Sequence, residues 1–186
     1  MSGSGNDFIV IDNRTNNLAD PSGFAKTYCD RHNGIGADGV ILVEQSKDHD
    51  FVMRIFNSDG SEAEMCGNGA RCAAYFAYEN AIFNNSETEF ETKAGLIKGS
   101  IRKNLVKVRL TKPKHMRLNF MLELDGKAYN ANFIDTGVPH TVFLLTDVES
   151  LDVNEFGRKV RYLDNFKPAG TNVDFISITD VHNIIL

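Results

Sequence analysis

The stretch from residue 57 to residue 72, NSDGSEAEMCGNGARC, combines residue types that could do chemistry on a small acid. Cys66 offers a sulfur base, and Gly67 and Gly69 let a ligand approach the backbone because they lack side chains. The alanine-rich segment that follows, to about Asn80, predicts a helix beginning just after Cys66. The unpaired N–H groups at a helix N-terminus favour a thiolate and a bound carboxylate. This one segment therefore predicts a base and an anion site.

The other two cysteines, Cys29 and Cys72, are interpreted as core residues. Cys29 lies on the apolar stripe of a helix predicted over residues 20–31, with Asp20 as its N-cap. Cys72 lies one and a half turns into the central helix and on a different face from Cys66, so the two should neither form a disulfide nor share a metal ion. The apolar composition of the central helix predicts burial on nearly every side.

Two other kinds of site are weaker interpretations of these residues. Gly67 to Cys72 reads G-x-G-x-x-C, close to a dinucleotide-binding fingerprint, but a polar loop rather than a strand precedes it. The five histidines show no metal-ligand spacing, so we do not expect a metal site. His140 alone stands out, because it follows Pro139 in a predicted loop; a surface loop histidine is the alternative.

The bulk composition limits the class of protein. The 186 residues suffice for one ordinary domain or two small ones, and a hydrophobic content of 42% supports a packed core. The net charge of −5 gives no support to nucleic-acid binding. The sequence has no apolar run approaching the roughly 18 residues of a membrane span and no secretory signal. We therefore expect a cytoplasmic protein with reduced cysteines and neither nucleic-acid nor membrane partners.

The elements that would position Cys66 are predicted from apolar alternation. The predicted strands and apolar runs cover residues 8–11, 40–43, 51–56, 87–92, 96–101, 106–110, 121–124, 127–133, 141–145, 173–178 and 184–186. A short helix opens at Asp152. The basic, poorly periodic stretch from Thr111 to Arg117 predicts a domain boundary.

The stretch NSDGSEAEMCGNGARC strongly resembles the first active-site segment of diaminopimelate epimerases. Four further blocks are similar to that family's and occur in its order: GNDFIVID at 5–12, RHNGIGADGV at 31–40, TGVPH at 136–140 and GTNVDF at 170–175. The resemblance implies an α/β (α+β) fold of two similar domains, each a curved mixed sheet wrapped around a central helix. Residues 1–112 would form the N-terminal epimerase domain and residues 113–186 a partial C-terminal epimerase domain.

The resemblance also implies a reaction. The family interconverts LL- and meso-2,6-diaminopimelate, without pyridoxal phosphate or metal, in lysine and peptidoglycan precursor synthesis. One cysteine thiolate removes the α-proton and a second cysteine returns a proton to the other face. Cys66 matches the first of these, and His140 matches a histidine that tunes a catalytic thiol. The matching substrate-binding positions are Asn6, Asn57, Gly67, Asn68 and Asn172. The full-length enzyme is expected to be a homodimer.

The chain departs from the family pattern in ways that bear on activity. It has no cysteine after Cys72, and the family's second cysteine–glycine loop is not found; Val138 stands where many members have asparagine. We therefore expect a chain that lacks the C-terminal part of the enzyme and is inactive alone. Exposed apolar strand surface is expected at Val173, Phe175 and Ile184. A degenerate amino-acid-binding relative, another cofactor-independent racemase and a purely structural domain remain alternatives.

Overall fold

A computed structural model describes residues 1–186, which divide into two compact units, Met1–Thr111 and Lys112–Leu186. The first unit contains the helices α1 (Pro21–Tyr28) and α2 (Gly67–Glu79) and the strands β1 (Ser2–Gly3), β2 (Asn6–Asp12), β3 (Gly39–Glu44), β4 (Phe51–Asn57), β5 (Glu62–Ala63), β6 (Glu87–Thr92), β7 (Gly95–Arg102) and β8 (Leu105–Arg109). The second unit contains the helix α3 (Val153–Arg161), a short 3-10 turn (Asp164–Phe166) and the strands β9 (Lys114–Leu124), β10 (Lys127–Asp135), β11 (Pro139–Leu144), β12 (Asn172–Ile178) and β13 (Ile184–Ile185).

The sheet of the first unit is mixed, with the strand order β1-β2-β3-β4-β6-β7-β8 and β5 paired to β4. β2 and β3 pair in parallel, as do β4 and β6, and the other neighbours are antiparallel. β3 is buried on both faces: Ile41 and Val43 pack in the cluster that contains α2, and Val40 and Leu42 pack in the cluster that contains α1. Burial on both faces explains its unbroken apolar run.

α2 packs against the sheet through its smallest residues. The four alanines of its inner face are fully buried: Ala70, Ala73, Ala74 and Ala77. Side chains this small let the strands come close to the helix. The predicted central helix is confirmed as α2. The expected burial on nearly every side is wrong, because Tyr75 and Phe76 are half-buried and Tyr78 is 39% exposed. The larger aromatic residues lie away from the alanine face.

α1 begins where the sequence predicts and ends sooner. The Asp20 carboxylate accepts a hydrogen bond from the Gly23 N–H at 2.9 Å, which confirms the N-cap. The helix ends at Tyr28, three residues before the expected end at Arg31. After it, the Asp30 carboxylate accepts hydrogen bonds from the N–H groups of His32 and Asn33, which favours a turn over a further helical turn.

The second unit is a mixed sheet with α3 on one face. Its strand order is β13-β12-β11-β10-β9, in which β11 and β12 are parallel. The predicted hairpin is confirmed as β9 and β10, but β9 begins at Lys114, so residues 114–117 of the expected boundary are strand. β9 is an edge strand whose first residues are all exposed, which removes the alternation that would identify it.

The expected exposure of apolar residues in the second unit is confirmed for Ile184 and wrong for Phe175. Ile184 is 60% exposed, whereas Phe175 is only 5% exposed. Phe175 stacks on Phe143 and meets the ring of Phe156 of α3 edge-on, with centroids 5.7 and 5.3 Å away. Val173 packs against the same cluster and is half-buried. α3 therefore covers the face of β12 that carries these two residues.

The observed architecture confirms the predicted α/β (α+β) class with curved mixed sheets. Each unit has its own hydrophobic core: two clusters in the first unit, on opposite faces of β3, and one cluster in the second unit. None of the helices combines the length and the apolar character that a membrane span requires.

Candidate active site

Cys66 is the N-cap of α2. Its backbone is extended, with φ −141° and ψ 123°, and its carbonyl accepts the Ala70 N–H at 2.7 Å. The Gly69 N–H points at the Cys66 sulfur, with a distance of 3.4 Å from N to Sγ. The side chain is half-buried. A helix amide therefore faces the sulfur of a half-buried cysteine, and the predicted position of Cys66 at the N-terminus of the helix is confirmed.

Cys29 and Cys72 are core residues, which confirms their interpretation from the sequence. They are 2% and 3% exposed, and all three cysteines are free thiols. Burial raises the pKa of both the Cys29 and the Cys72 thiol above the ordinary value. A cavity of about 410 Å³ opens beside α2 and is lined by Cys72, Arg71, Tyr75 and residues of β1 and β8; Cys66 is not part of this lining.

Two of the predicted substrate-binding residues, Asn6 and Asn68, lie in direct contact. The Asn68 side-chain amide donates to Asn6 Oδ1 at 2.7 Å, which joins the N-terminus of α2 to the start of β2. The Asn6 amide donates in turn to Asp38 Oδ2 at 2.9 Å. At the other end, the Arg71 guanidinium donates to Asn68 Oδ1. Gly67, also predicted, is the first residue of α2 beside Asn68.

A charged cluster holds the far end of this chain of hydrogen bonds. Arg31 forms a bidentate pair with Asp7, at 2.8 and 3.0 Å, and also donates to Asp38 Oδ1 at 2.8 Å. The Arg31 guanidinium lowers the pKa of Asp7 to about 2 and hydrogen bonding to the two carboxylates raises the pKa of Arg31. The hydrogen bond from the Asn6 amide is the largest cause of the lowered pKa of Asp38; burial opposes it, and the Asp7 N–H and Arg31 lower the pKa further. Sequence reasoning missed Arg31 and Asp7, although both lie in the recognised blocks.

Asn57 lies at the end of β4 next to the same cluster. It is opposite Gly39 in the antiparallel pair of β3 and β4, and the following Ser58 N–H donates to the Asp38 carbonyl at 3.2 Å. The Asn57 side chain is exposed and donates to Ser61 Oγ at 3.0 Å. The fold thus brings Asn6, Asn68 and the Asp38 loop beside Asn57 within the first unit.

The second unit brings together the two remaining predicted residues, His140 and Asn172. They are direct register partners in the parallel pair of β11 and β12, so both lie at the start of a strand and not in the loops expected from the sequence. His140 Nδ1 lies 2.8 Å from Asp174 Oδ2, and Asn172 Oδ1 accepts from Arg161 at 3.4 Å. Sequence reasoning missed Asp174, which is two residues after Asn172 and therefore on the same face of β12.

The residues of the first unit can take up a proton and hold an anion. The half-buried Cys66 sulfur is a base, and the helix N–H groups and asparagine amides are donors for a carboxylate. No group of three or more His, Cys, Asp or Glu side chains lies close enough together to hold a metal ion.

The fold occurs in solved structures of other proteins. A phenazine biosynthesis protein of the PhzF family from Bacillus anthracis superposes with a TM-score of 0.64 at 16% identity, covering 97% of this chain and 66% of that one. A probable proline racemase from Agrobacterium radiobacter K84 gives 0.61 at 17% identity, covering 89% of this chain and 58% of that one. At such low identity these likenesses establish the fold alone. This chain shares its fold with these two proteins and carries a thiol at the N-terminus of its central helix.

Sequence comparison gives the particular family. A family model described as diaminopimelate epimerase matches residues 1–116. A diaminopimelate epimerase from Aquifex aeolicus is 45% identical over 95% of this chain and 67% of its own length. One from Hydrogenobaculum is 42% identical over 95% of this chain and 68% of its own length. The chain belongs to the diaminopimelate epimerase family, a family of isomerases, and spans about two thirds of the length of these relatives.

Proposed function

We propose that this chain forms part of a diaminopimelate epimerase that interconverts LL- and meso-2,6-diaminopimelate, with Cys66 as one of two acid–base cysteines. The observation that carries the proposal is the contact of the Gly69 N–H with the Cys66 sulfur at the N-terminus of α2, in a chain of this family. The family supports the substrate, and the helix amide supports the role of the sulfur.

The proposed reaction is a proton transfer at the α-carbon. The Cys66 thiolate takes the α-proton, so the C–H bond breaks, an S–H bond forms and the electron pair is delocalised into the α-carboxylate. A second thiol then donates a proton to the opposite face of the carbanion. Because the α-hydrogen is very weakly acidic, the base must be positioned and the developing charge stabilised. The N–H groups of Gly67 and Asn68 and the amide of Asn6 supply donors for that charge.

The remaining predicted residues act in binding and tuning. Asn57 and Asn172 contact the substrate, and His140 tunes a catalytic thiol. Asp174 accepts a hydrogen bond from His140 Nδ1, which leaves Nε2 available to a sulfur. In this proposal residues 1–112 are the N-terminal epimerase domain and residues 113–186 part of the C-terminal one. The whole enzyme is a cytoplasmic homodimer that serves lysine and peptidoglycan precursor synthesis.

The chain alone is proposed to be unable to complete the reaction. A second acid must reach the α-carbon, and the two other cysteines, Cys29 and Cys72, are almost fully buried. Burial also raises the pKa of both thiols, so the proposal gives neither of them the role of the second acid. Cys66 alone can remove the α-proton and return solvent-derived hydrogen to the same face.

The test measures exchange and inversion separately on the 186-residue chain. In deuterated water with LL-diaminopimelate, NMR should show slow α-deuteration without meso product, and Cys66→Ser should remove the exchange. Diaminopimelate should also slow the alkylation of Cys66 by iodoacetamide. Protection without exchange would favour the amino-acid-binding relative, and no protection would contradict the proposal. Sustained formation of the meso isomer would show that the two-thiol requirement is wrong.

A further inference from the structure

Asn6 and Asn68 belong to a row of hydrogen bonds with a charged group at each end. From the N-terminal turn of α2 the row runs through Arg71, Asn68, Asn6 and Asp38. We propose that Asp38 and Arg71 are positioning residues that fix the direction of both amides, so that Asn6 keeps an N–H donor for a substrate carboxylate. This inference rests on the proposed function, because it specifies how the predicted binding residue Asn6 would meet a carboxylate.

The chemistry of the two ends sets the direction of the row. An ionised carboxylate only accepts hydrogen bonds, so the atom of Asn6 that faces Asp38 must be its NH₂ group. A guanidinium only donates, so the atom of Asn68 that faces Arg71 must be its carbonyl oxygen. The bond between the two asparagines, from Asn68 Nδ2 to Asn6 Oδ1, agrees with both constraints. Every donor in the row therefore points from Arg71 towards Asp38.

The direction leaves Asn6 with one uncommitted N–H. One hydrogen of its NH₂ group goes to Asp38, and its carbonyl accepts from Asn68. The second N–H of Asn68 is directed at the Ser4 carbonyl with a long distance of 3.4 Å. Asn6 is half-buried, and in the proposal its remaining N–H donates to the substrate carboxylate. A reversed Asn6 would instead present a carbonyl oxygen, which repels a carboxylate.

Asp38 is itself held so that it cannot change its role. Its Oδ1 accepts from Arg31 at 2.8 Å, and its Oδ2 accepts from the Asp7 N–H at 3.2 Å as well as from Asn6. These donors keep the carboxylate ionised, consistent with its lowered pKa. An asparagine at this position could turn its NH₂ group towards Arg31 and keep a carbonyl oxygen facing Asn6. Replacing Asp38 by Ala removes both oxygens, and the amide of Asn6 then loses the partner that fixes its direction.

The test compares two ligands in two matched variants. The measured quantity is the concentration of diaminopimelate, or of its diamide, that halves the rate of Cys66 alkylation by iodoacetamide. Asp38→Ala is compared with Asp12→Ala, because Asp12 also pairs with an arginine, Arg14, at 2.7 Å but takes no part in the row. We expect Asp38→Ala to weaken the binding of diaminopimelate about tenfold, the weight of one hydrogen bond to a charged group, and the binding of the diamide much less. Asp12→Ala should leave the binding of both ligands unchanged.

The ratio of the two half-protecting concentrations, that of the diamide to that of diaminopimelate, separates a positioning role from a general loss of structure. A purely structural role of Asp38 weakens the binding of both ligands equally, and an unchanged ratio in a folded Asp38→Ala would overturn the inference. If that variant does not fold, the other end of the row decides: Arg71→Met, which has no donor, should bring the two half-protecting concentrations closer together, and Arg71→Lys, which can only donate, should preserve their ratio. The inference is also overturned if the two Arg71 variants give the same ratio of half-protecting concentrations. Lack of any protection in the unmodified chain refutes the proposed function itself, and this inference with it.

Discussion

Cys66, Cys29 and Cys72 have the same side chain and differ in what surrounds the sulfur. Two of them lie in apolar cores, where the charged thiolate is costly and the pKa is raised. Cys66 is half-buried and faces a helix N–H. Since the thiolate is the reactive form, reactivity should follow these surroundings.

We therefore expect iodoacetamide to modify Cys66 first in the folded chain. One equivalent should react in a fast phase, and Cys29 and Cys72 only on unfolding, as read by mass spectrometry of tryptic peptides. Cys66→Ser should remove the fast phase without unfolding the chain, because serine is a good N-cap. Modification of Cys29 at a similar rate would contradict this reading of the three sites.

Asp7 gives a pH dependence with a definite sign. Its pKa is lowered from 3.8 to about 2 by Arg31, so its ion pair stabilises the folded state at pH values above the unfolded pKa. That stabilisation is lost as the pH falls from about 4 to about 2. Urea unfolding of the chain and of Asp7→Asn should therefore differ at pH 6, and the difference should shrink across that interval. A difference that grows as the pH falls would contradict the ion pair.

At the scale of elements, the pairing of β3 with β4 leaves no room for a side chain at Gly39. A Cβ atom on Gly39 would lie 2.5 Å from the Phe56 carbonyl oxygen, which is backbone and cannot rotate away. Gly39→Ala should cost about 1–3 kcal/mol of unfolding free energy, measured by urea denaturation. Because Asn57 is opposite Gly39, the shift of β4 should also weaken protection of Cys66 by diaminopimelate.

Gly157 in the middle of α3 is the matched control for that substitution. Its Cβ atom would have no neighbour nearer than 3.9 Å, so alanine fits without a shift. Gly157→Ala should stabilise the chain by about 0.5–1 kcal/mol, since alanine has the higher helix propensity. Destabilisation by both variants to a similar extent would show that space around the glycine does not decide the effect.

The sequence predicts those elements whose own residue composition indicates whether they are buried. The alanines of α2 and the apolar run of β3 predict buried elements, and both are confirmed. His140 and Asn172 were expected in loops because Pro139 and the PAGTN segment resemble turns. Their parallel pairing joins residues 32 positions apart, and such pairing leaves no local pattern. β9 was missed in part because the exposed start of an edge strand has no apolar alternation.

At the scale of the molecule, the sequence predicts those residues of the candidate site that are adjacent in the chain. It does not predict the contacts between residues that come from distant segments. Cys66, Gly67 and Asn68 follow one another, so one motif contains them. The row from Arg71 to Asp38 draws on residues from β2, the loop before β3 and α2, which only the fold brings together. Charged loop residues such as Arg31 and Asp38 give no sign in the sequence of which partner they will have.

Each unit has a core drawn from its own residues. The members of the two clusters of the first unit all lie between residues 8 and 108. Those of the cluster of the second unit lie between residues 120 and 175. All strand pairs of the first sheet also lie within residues 1–111. Since burial of apolar surface is the main favourable contribution to folding, the first unit contains what it needs to fold.

A chain of residues 1–111 should therefore fold alone and keep the reactive thiol. We expect a cooperative urea transition by circular dichroism and a fast iodoacetamide phase at Cys66. Phe90, fully buried and stacked on Phe51 at 4.6 Å, provides the control: Phe90→Ala should remove about 3–5 kcal/mol from this transition. A broad transition insensitive to Phe90→Ala, with all three cysteines equally reactive, would show that the first unit needs the second to form its core.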